Sequence, residues 1–532
     1  MNKRLFSVAL TLILLLSFSL AGCSSSKTSS TSTSGKASSK ATPTKNPVNG
    51  RSDELVIGTT SDPHSWDPID TFLLDWSTVA NSIFEGLVNR DNDLKINPGL
   101  ATSWKYLNDQ TLQFKLRQGV KFQDGEPFNA DAVVYTFDRL LGPEGKKGPQ
   151  QSNYTSIDHV VKVDDYTVNF ILKEKDPVLI TKLAGYGADI VPPKYIKEKG
   201  DAYFDLHPIG TGPYKLTSYT KDSEVDLEKN PDYWQKGLPK IGKVTFRIIP
   251  EPSTRLAELQ TGAIDIMKAV PVSEASTVKG TSFVTLDKVA TPTVESLRFD
   301  SSKKPVNDVR VRQAISYAID TKAIIKEILN GYAEPISTFQ STLSFGNNPN
   351  LKPYPYNPNK AKQLLAQAGV KKGTVINIFI SGSDETFKEI TQAVSAYLDQ
   401  VGLKANIHTV DGSTLISDLS PNEKAGQMYS MGWGGWTLDF DNTAYLLYHK
   451  GEFWNPDFSD KQVEDLLTQE RSTVDQAKRK QIFMKLTARL HELAPEVDLY
   501  QADQLWGVNN RVVDFNPPHD DRVNLATVSL KK

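Results

Sequence analysis

The chain has 532 residues, of which 61 are basic and 63 acidic, so its formal net charge is −2. This balance does not favour nucleic-acid binding, which requires a basic face. The only cysteine is Cys23, which excludes an internal disulfide. The length predicts two or three domains.

The first 22 residues have the order of a secretory signal peptide. Two basic residues precede an apolar run over 5–20, which is shorter than the roughly 20 residues that a membrane-spanning helix needs. The next four residues, "LAGC", end at Cys23 and resemble the lipobox of bacterial lipoproteins, in which the cysteine is lipidated after cleavage. The alternative is an ordinary signal peptide. We expect a protein anchored by lipid at Cys23 to the extracytoplasmic face of the cell membrane.

Residues 24–50 are rich in Ser, Thr and Lys and contain no acidic or aromatic residue. Such a segment buries too little apolar surface to fold. We therefore predict that residues 23–50 form a lipidated cysteine and a disordered tether with an average reach of roughly 30 Å.

From residue 54 onward, segments with strand periodicity alternate with segments that have helical periodicity. Alternating apolar residues predict strands, and an apolar stripe behind a capping residue predicts a helix. Asn129 or Asp131 is the expected cap of one helix, and Thr321 of another. This order favours an α/β fold with crossover connections. The predicted strands are 54–60, 111–116, 166–172, 374–380, 404–410 and 496–508, and the predicted helices are 129–141, 321–331, 357–369, 385–402 and 481–493.

Several segments resemble, in the same order, the extracytoplasmic solute-binding proteins of family 5, which serve peptide and nickel ABC importers. The most specific segment is "FKLRQGVKFQDGEPFNADAV", which lies within 101–140. The other matching segments are "PIGTGPYKL" (208–216), "NPDYW" (230–234), "LQTGAIDI" (259–266), "DVRVRQAISYAID" (308–320), "GYAEP" (331–335) and "YNPNKAKQLLAQAGV" (356–370).

This resemblance implies a two-lobed periplasmic-binding-protein-like fold of type II, with an extra domain inserted in the first lobe. We expect lobe I to comprise 51–86, 207–297 and 496–532, the extra domain 87–206 and lobe II 298–495. The implied function is capture of a solute by lobe closure and its delivery to the transmembrane permease of an ABC importer. We expect a monomer without a cofactor, a bound metal or a nucleic-acid partner.

Three segments are expected to line the cleft between the lobes. The loop after the first strand offers Asp62, His64, Ser65 and Trp66, although Asp62 is equally suited to cap a turn and Trp66 to lie in the core. The loop after the strand 374–380 offers Ser383 and Asp384, and its acidic residues Asp384 and Glu385, with no arginine beside them, would repel a ligand carboxylate. The third segment is "MGWGGWTLDFDN" (431–442), with the candidate residues Trp433, Trp436, Asp439 and Asp441.

The third segment also bears on the ligand class. Peptide-binding members of the family carry an aspartate for the ligand's ammonium where this chain has Trp436. The resemblance therefore leaves three ligands: a longer or modified peptide held by Asp439 or Asp441, an oligosaccharide stacked on the tryptophans, or a nickel chelate. The nickel chelate is disfavoured because the seven histidines are dispersed.

Two other classes of protein are weighed against a binding protein. A secreted hydrolase would use Asp439 and Asp441 as a carboxylate pair, but neighbouring residues rarely straddle a scissile bond, and no zinc-protease, nucleophile-elbow or P-loop motif is present. An adhesive lipoprotein is the other alternative, and the family segments argue against it.

Overall fold

The computed structural model describes residues 50–71 and 74–531. The predicted signal peptide, the Cys23 lipidation site and the tether up to residue 49 lie outside these residues. The strands of the described chain are β1 (Glu54–Thr59), β2 (Val88–Arg90), β3 (Ile96–Pro98), β4 (Ala101–Asn108), β5 (Thr111–Leu116), β6 (Ile157–Asp164), β7 (Thr167–Leu172), β8 (Tyr214–Thr220), β9 (Glu224–Lys229), β10 (Lys243–Ile248), β11 (Ile266–Met267), β12 (Val284–Phe299), β13 (Ala333–Pro335), β14 (Thr374–Ser381), β15 (Leu403–Val410), β16 (Met428–Gly434), β17 (Glu496–Asn509), β18 (Val512–Val513) and β19 (Ser529–Leu530).

The helices cover the sheets and carry several of the connections. No helix within 50–71 and 74–531 is long and apolar enough to cross a membrane. The α-helices are α1 (Leu74–Ala80), α2 (Ala130–Leu141), α3 (Leu179–Leu183), α4 (Pro193–Lys199), α5 (Asp201–Leu206), α6 (Pro252–Thr261), α7 (Ala275–Gly280), α8 (Val309–Ala318), α9 (Thr321–Glu327), α10 (Pro358–Gln367), α11 (Glu385–Gln400), α12 (Gly412–Thr414), α13 (Phe440–Tyr448), α14 (Lys461–Arg471) and α15 (Gln476–Leu493).

Eleven strands form one large sheet. Its order is β15-β14-β16-β12-β17-β11-β1-β10-β9-β8, with β13 paired to β17. The two longest strands, β12 and β17, pair with each other in the middle of the sheet and run antiparallel. Because β17 also pairs with β11 on one side and β12 with β16 on the other, these two strands join the two halves of the sheet.

The pairing of β12 with β17 is interrupted near its middle. Ala290 lies opposite Asp503, but the next paired residue of β12, Val294, lies opposite Gln501. Three residues of β12 therefore face a single residue of β17, which is a β-bulge. One of the three is Pro292, which has no N–H to donate to the ladder.

A second sheet has four antiparallel strands in the order β4-β5-β7-β6 and its own hydrophobic core. Leu112, Phe114 and Leu116 alternate along β5 and are buried, as the sequence predicts. Phe137 of α2 packs edge-on against Phe170 of β7, with 4.7 Å between the ring centroids. The helix α2 is thereby fixed to one face of this sheet.

Helix caps account for the starts of the predicted helices. The side chain of Asn129 caps α2 and accepts hydrogen bonds from the N–H groups of the first turn, as expected. The expected cap Thr321 is wrong, because Asp320 accepts the hydrogen bond from the N–H of Ala323 and Thr321 is already helical. That helix also ends at Glu327, four residues before the predicted end.

Candidate functional site

The two halves of the large sheet direct their strand ends at the same place. The end of β11 at Met267 lies opposite Gly507 of β17, and the end of β16 at Gly434 lies opposite Thr293 of β12. The strand β16 ends at the bulge, and β11 runs toward the bulge and ends four residues of β17 away from Asp503. The carboxyl ends of strands in α/β sheets are the usual place for ligands.

A cavity of about 710 Å³ lies at this place, a volume within the range of small-molecule sites. The described residues that line it include three carboxylates, Glu385, Glu389 and Asp503, and no Lys or Arg. Asp503 is paired with Lys288 at 3.0 Å and Glu385 with Lys388 at 2.7 Å, whereas Glu389 of α11 has no Lys or Arg partner among the described residues. The lining residues come from both halves of the sheet: 269–273, Thr291, Thr293, 328–330, Glu385, Thr386, Glu389 and 502–505.

Next to this cavity, Glu295 of β12 lies directly opposite Gly432 of β16 and Tyr500 of β17. A Cβ atom on Gly432 would lie 2.7 Å from Oε1 of Glu295, so the glycine provides the space that this carboxylate occupies. Burial, together with the nearby charge of Asp384, raises the pKa of Glu295 to about 8. Burial and the charges of Glu295 and Asp384 also raise the pKa of Tyr500.

Ser383 and Asp384, predicted as ligand contacts, follow β14 as expected. Both are exposed; the Ser383 hydroxyl is 2.9 Å from that of Ser381, and Asp384 caps α11 by accepting from the N–H of Phe387 at 2.9 Å. Asp384 is near the cavity because its neighbour Glu385 lines it. Glu295 and Tyr500 were missed from the sequence, where the segment "VESLRF" (294–299) alternates apolar and polar residues and does not single out its glutamate.

The four candidates after β1 do not line the cavity. Asp62 is 2% exposed and accepts hydrogen bonds from the Tyr219 hydroxyl at 2.6 Å and the N–H of Asp222 at 2.7 Å. These contacts hold the loop to the turn between β8 and β9. Asp62 therefore has a role in a turn, which was the alternative to a ligand contact. A ligand contact by Asp62 stays a prediction.

The other three residues of this loop differ in exposure. Trp66 is 1% exposed and packs edge-on against Tyr219, with 5.3 Å between ring centroids. The hydroxyl of Ser65 donates to Asp205 at 2.6 Å. His64 is exposed and has a φ of 63°, in the left-handed region. Their ligand contacts also stay predictions.

The two candidate tryptophans are packed against other aromatic rings. Trp433, at the end of β16, is half-buried and lies edge-on to Trp454 at 5.8 Å. Trp436 is 6% exposed and stacks on Tyr186 at 5.9 Å. Arg90 of β2 donates to the carbonyl of Trp436 at 3.4 Å, which fixes the segment after β16 to the two-stranded sheet of β2 and β3.

The two candidate aspartates are paired with arginines. Asp439 is 4% exposed and caps α13, and both its oxygens accept from Arg479, at 2.6 and 2.7 Å. Asp441 is 3% exposed and accepts from Nε of Arg471 at 2.6 Å. Because each carboxylate is neutralised inside the protein, this arrangement offers no free pair for acid–base chemistry.

A fifth group, Glu470, completes this buried network. It lies 2.9 Å from Arg479, whose side chain is fully buried. Burial and the charge of Asp441 raise the pKa of Glu470 to about 10, so this carboxyl keeps its proton at neutral pH. The network then contains two positive arginines and two negative aspartates and is electrically balanced. We call Asp439, Asp441, Glu470, Arg471 and Arg479 the arginine–carboxylate network.

Comparison with known proteins decides the family. The family described as "Bacterial extracellular solute-binding proteins, family 5 Middle" matches residues 95–455 of this chain. The chain belongs to this family. The predicted family and fold class are confirmed, and so is the prediction of a binding protein rather than an enzyme, since the family consists of solute-binding proteins.

Similar family members include a curated protein and two solved structures. The glutathione-binding protein GsiB of Escherichia coli O1:K1 / APEC is 30% identical over 462 residues, which are 84% of this chain and 88% of GsiB. HbpA2 from Haemophilus parasuis is 25% identical, with a TM-score of 0.81 and coverage of 90% of this chain and 100% of that chain. DppA from Helicobacter pylori, in complex with the peptide STSA, is 26% identical, with a TM-score of 0.75 and coverage of 90% and 98%.

Proposed function

We propose that this chain is the lipid-anchored substrate-binding component of an ABC importer and that it captures an oligopeptide or a modified peptide. The observation that carries the ligand class is the acidic cavity at the meeting point of the strand ends, which has no Lys or Arg among its described lining residues. Such a lining favours a ligand with a positive group, as a peptide has at its amino terminus. The names of two relatives agree, since one binds glutathione and another was solved with a peptide.

In this proposal the two halves of the large sheet belong to two lobes that close on the ligand. Lobe I comprises 51–86, 207–297 and 496–532, the extra domain 87–206 and lobe II 298–495, with β12 and β17 as the hinge. Closure excludes water, and the ligand shifts the equilibrium by its difference in affinity for the two states. The closed monomer then presents its ligand to the membrane permease.

An oligosaccharide is the second candidate ligand from the sequence, and the structure gives it no specific support. The rings proposed for sugar stacking, Trp433 and Trp436, are already packed against Trp454 and Tyr186. For a nickel chelate, no group of three or more His, Cys, Asp or Glu side chains in the described part of the chain is placed to hold a metal ion.

The ligand class is tested by adding synthetic tripeptides to pentapeptides, and separately oligosaccharides, to the purified protein. A ligand at 100 times its Kd is expected to raise the unfolding free energy by about 2.7 kcal/mol, which appears as a higher Tm. A rise with sugars alone would contradict the peptide proposal. Appearance of hydrolysis products would contradict a binding role.

The lipid anchor is tested by replacing Cys23 with alanine. We expect Cys23→Ala to move the protein from the membrane fraction to the soluble fraction, because the thioether that carries the acyl chains is lost. A Ser24→Ala variant, altered at the next residue, serves as the matched control and is expected to remain in the membrane fraction. If the Cys23→Ala protein also remains there, the anchor lies elsewhere.

A further inference from the structure

Trp436 comes from one half of the molecule and is buried in the hydrophobic core of the other half. Its neighbours along the chain, Met431 and Phe440, belong to a buried cluster drawn mainly from 336–490. Trp436 instead belongs to the cluster built by β1, α1 and the C-terminal segment, and among the described buried residues of that cluster it alone comes from 298–495. The segment after β16 therefore carries one ring from the proposed lobe II into the core of the proposed lobe I.

The ring of Trp436 lies in a socket formed by two residues of the proposed extra domain. It stacks on Tyr186, with 5.9 Å between the ring centroids and an angle of 28° between the planes. A Cβ atom on Gly185 would lie within 2.8 Å of two ring carbons of Trp436 and of the carbonyl oxygen of Lys182. The backbone of Gly185 is not in the left-handed region. The glycine is therefore explained by the close approach of the ring and of this carbonyl.

Arg90 binds the main chain of the same segment. Its Nη2 donates to the carbonyl of Thr437 at 2.9 Å, and its Nη1 donates to the carbonyl of Trp436 at 3.4 Å and to Asp520 at 3.2 Å. The side chain of Arg90 is 2% exposed. One buried guanidinium thus connects the proposed extra domain to the segment after β16 and to the C-terminal segment, and Asp520 balances its charge.

Separation of the two halves would break both sets of contacts. A buried tryptophan removes about 150–250 Å² of surface from water, and opening would expose this surface again. Arg90 would lose two acceptors, and a buried guanidinium without its acceptors is costly. Trp436, Gly185, Tyr186 and Arg90 are not among the residues that line the acidic cavity. The contacts between the halves therefore form without a ligand in that cavity.

We propose that Trp436, Arg90, Gly185 and Tyr186 form an interlobe clasp, which keeps the protein closed before a ligand binds. The inference rests on the proposed function, because the lobes and their closure belong to it, and it adds the contacts that set the balance between the open and closed states. A ligand that enters only the open state meets a protein of which a small fraction is competent, and this fraction lowers its apparent affinity. The clasp thus determines how much of the protein is ready to take up a ligand.

The clasp is tested by measuring the distance between two spin labels in the absence of ligand, using pulsed electron paramagnetic resonance. The Cys23→Ala protein contains no cysteine, so the labels attach only at Lys194→Cys in the proposed extra domain and Lys461→Cys in lobe II, two exposed positions. We expect a single distance when the clasp is intact. Trp436→Ala is expected to show a second distance, with the ratio of closed to open protein lowered about tenfold or more.

A second variant and a control accompany this measurement. Arg90→Lys keeps the charge that faces Asp520 but has one nitrogen in place of the two that Arg90 uses, and is expected to show the second distance as well. The matched control Trp454→Ala removes a ring that packs on Trp433 inside lobe II, and is expected to keep the single distance. Melting curves show whether each variant is folded, and Arg90→Lys decides if Trp436→Ala is not.

The outcomes separate the clasp from the proposed function. A ligand-free protein that is mostly open with the clasp residues intact would overturn the clasp, and so would a single, unchanged distance in both Trp436→Ala and Arg90→Lys. A single distance that splits in these variants supports the clasp whether or not peptides bind. A protein that shows this behaviour and binds no peptide would contradict the proposed ligand class alone.

Discussion

The arginine–carboxylate network allows a sharp test of what Asp439 does. The variant Arg479→Met removes a fully buried guanidinium that holds Asp439 with two hydrogen bonds of 2.6 and 2.7 Å. Asp439 is then left as a buried carboxylate without its counterion. Breaking one side of a buried ion pair typically costs about 3–5 kcal/mol, so we expect a loss of unfolding free energy of this size.

This loss corresponds to a measurable change in Tm. At about 2.1 cal/mol/K per residue, the roughly 480 residues of the folded part have an unfolding entropy of about 1 kcal/mol/K. A loss of about 3–5 kcal/mol therefore lowers Tm by about 3–5 °C, which differential scanning calorimetry resolves. Adding Asp439→Asn to Arg479→Met is expected to restore part of the loss, because it removes the uncompensated charge.

A matched control comes from the same helix, α15. Arg489→Met removes an arginine that is 28% exposed and paired with Asp460, and an exposed pair of this kind contributes less than about 1 kcal/mol. The reasoning would be refuted if Arg479→Met and Arg489→Met had the same Tm while only Arg479→Met lost ligand affinity. That result would restore Asp439 to the ligand site.

Two further predictions concern Glu470 and Trp436. Glu470 keeps its proton up to about pH 10 in the folded state, because of burial and the charge of Asp441, whereas an unfolded glutamate ionises near pH 4.3. Its contribution to stability is thus complete below pH 4.3 and is lost as pH rises toward 10. The unfolding free energy of the wild type should therefore fall relative to that of Glu470→Gln by up to about 1.4 kcal/mol per pH unit between pH 5 and 9. A difference in urea unfolding that does not change with pH would show that the folded state holds Glu470 ionised. Trp436→Ala removes a ring stacked on Tyr186 and is expected to cost about 3 kcal/mol in unfolding free energy; an unchanged Tm with weakened ligand binding would instead place this ring in the ligand site.

Local patterns predicted the elements of the fold well because their causes are local. The alternation of Leu112, Phe114 and Leu116 marks a strand that buries one face, and the cap at Asn129 starts its helix. The misassigned cap at Thr321 shows the limit, because two adjacent residues, Asp320 and Thr321, were both suited to cap the helix and only the backbone conformation decides between them.

The candidate site was less predictable because its charges are balanced by distant residues. The sequence around Asp439 and Asp441 shows two acids and no base, and their arginine partners lie 40 and 30 residues further along the chain. For Glu295 the sequence fails to indicate the strand neighbours of the carboxylate. In the sequence it looks like an ordinary solvent-facing strand residue, and only the strand pairing places it between Gly432 and Tyr500.

The bulge between β12 and β17 interrupts the hydrogen-bond ladder in the middle of the large sheet. A continuous ladder resists bending because each bend must strain hydrogen bonds. Here three residues of β12 lie opposite one residue of β17, and one of the three, Pro292, has no N–H to donate. Across the bulge the hydroxyl of Thr291 donates to the carbonyl of Ala502 at 2.9 Å, and this side-chain contact stands in place of a backbone rung. In the proposed lobe closure, this joint would bend at a few residues of backbone and leave the ladder on either side whole.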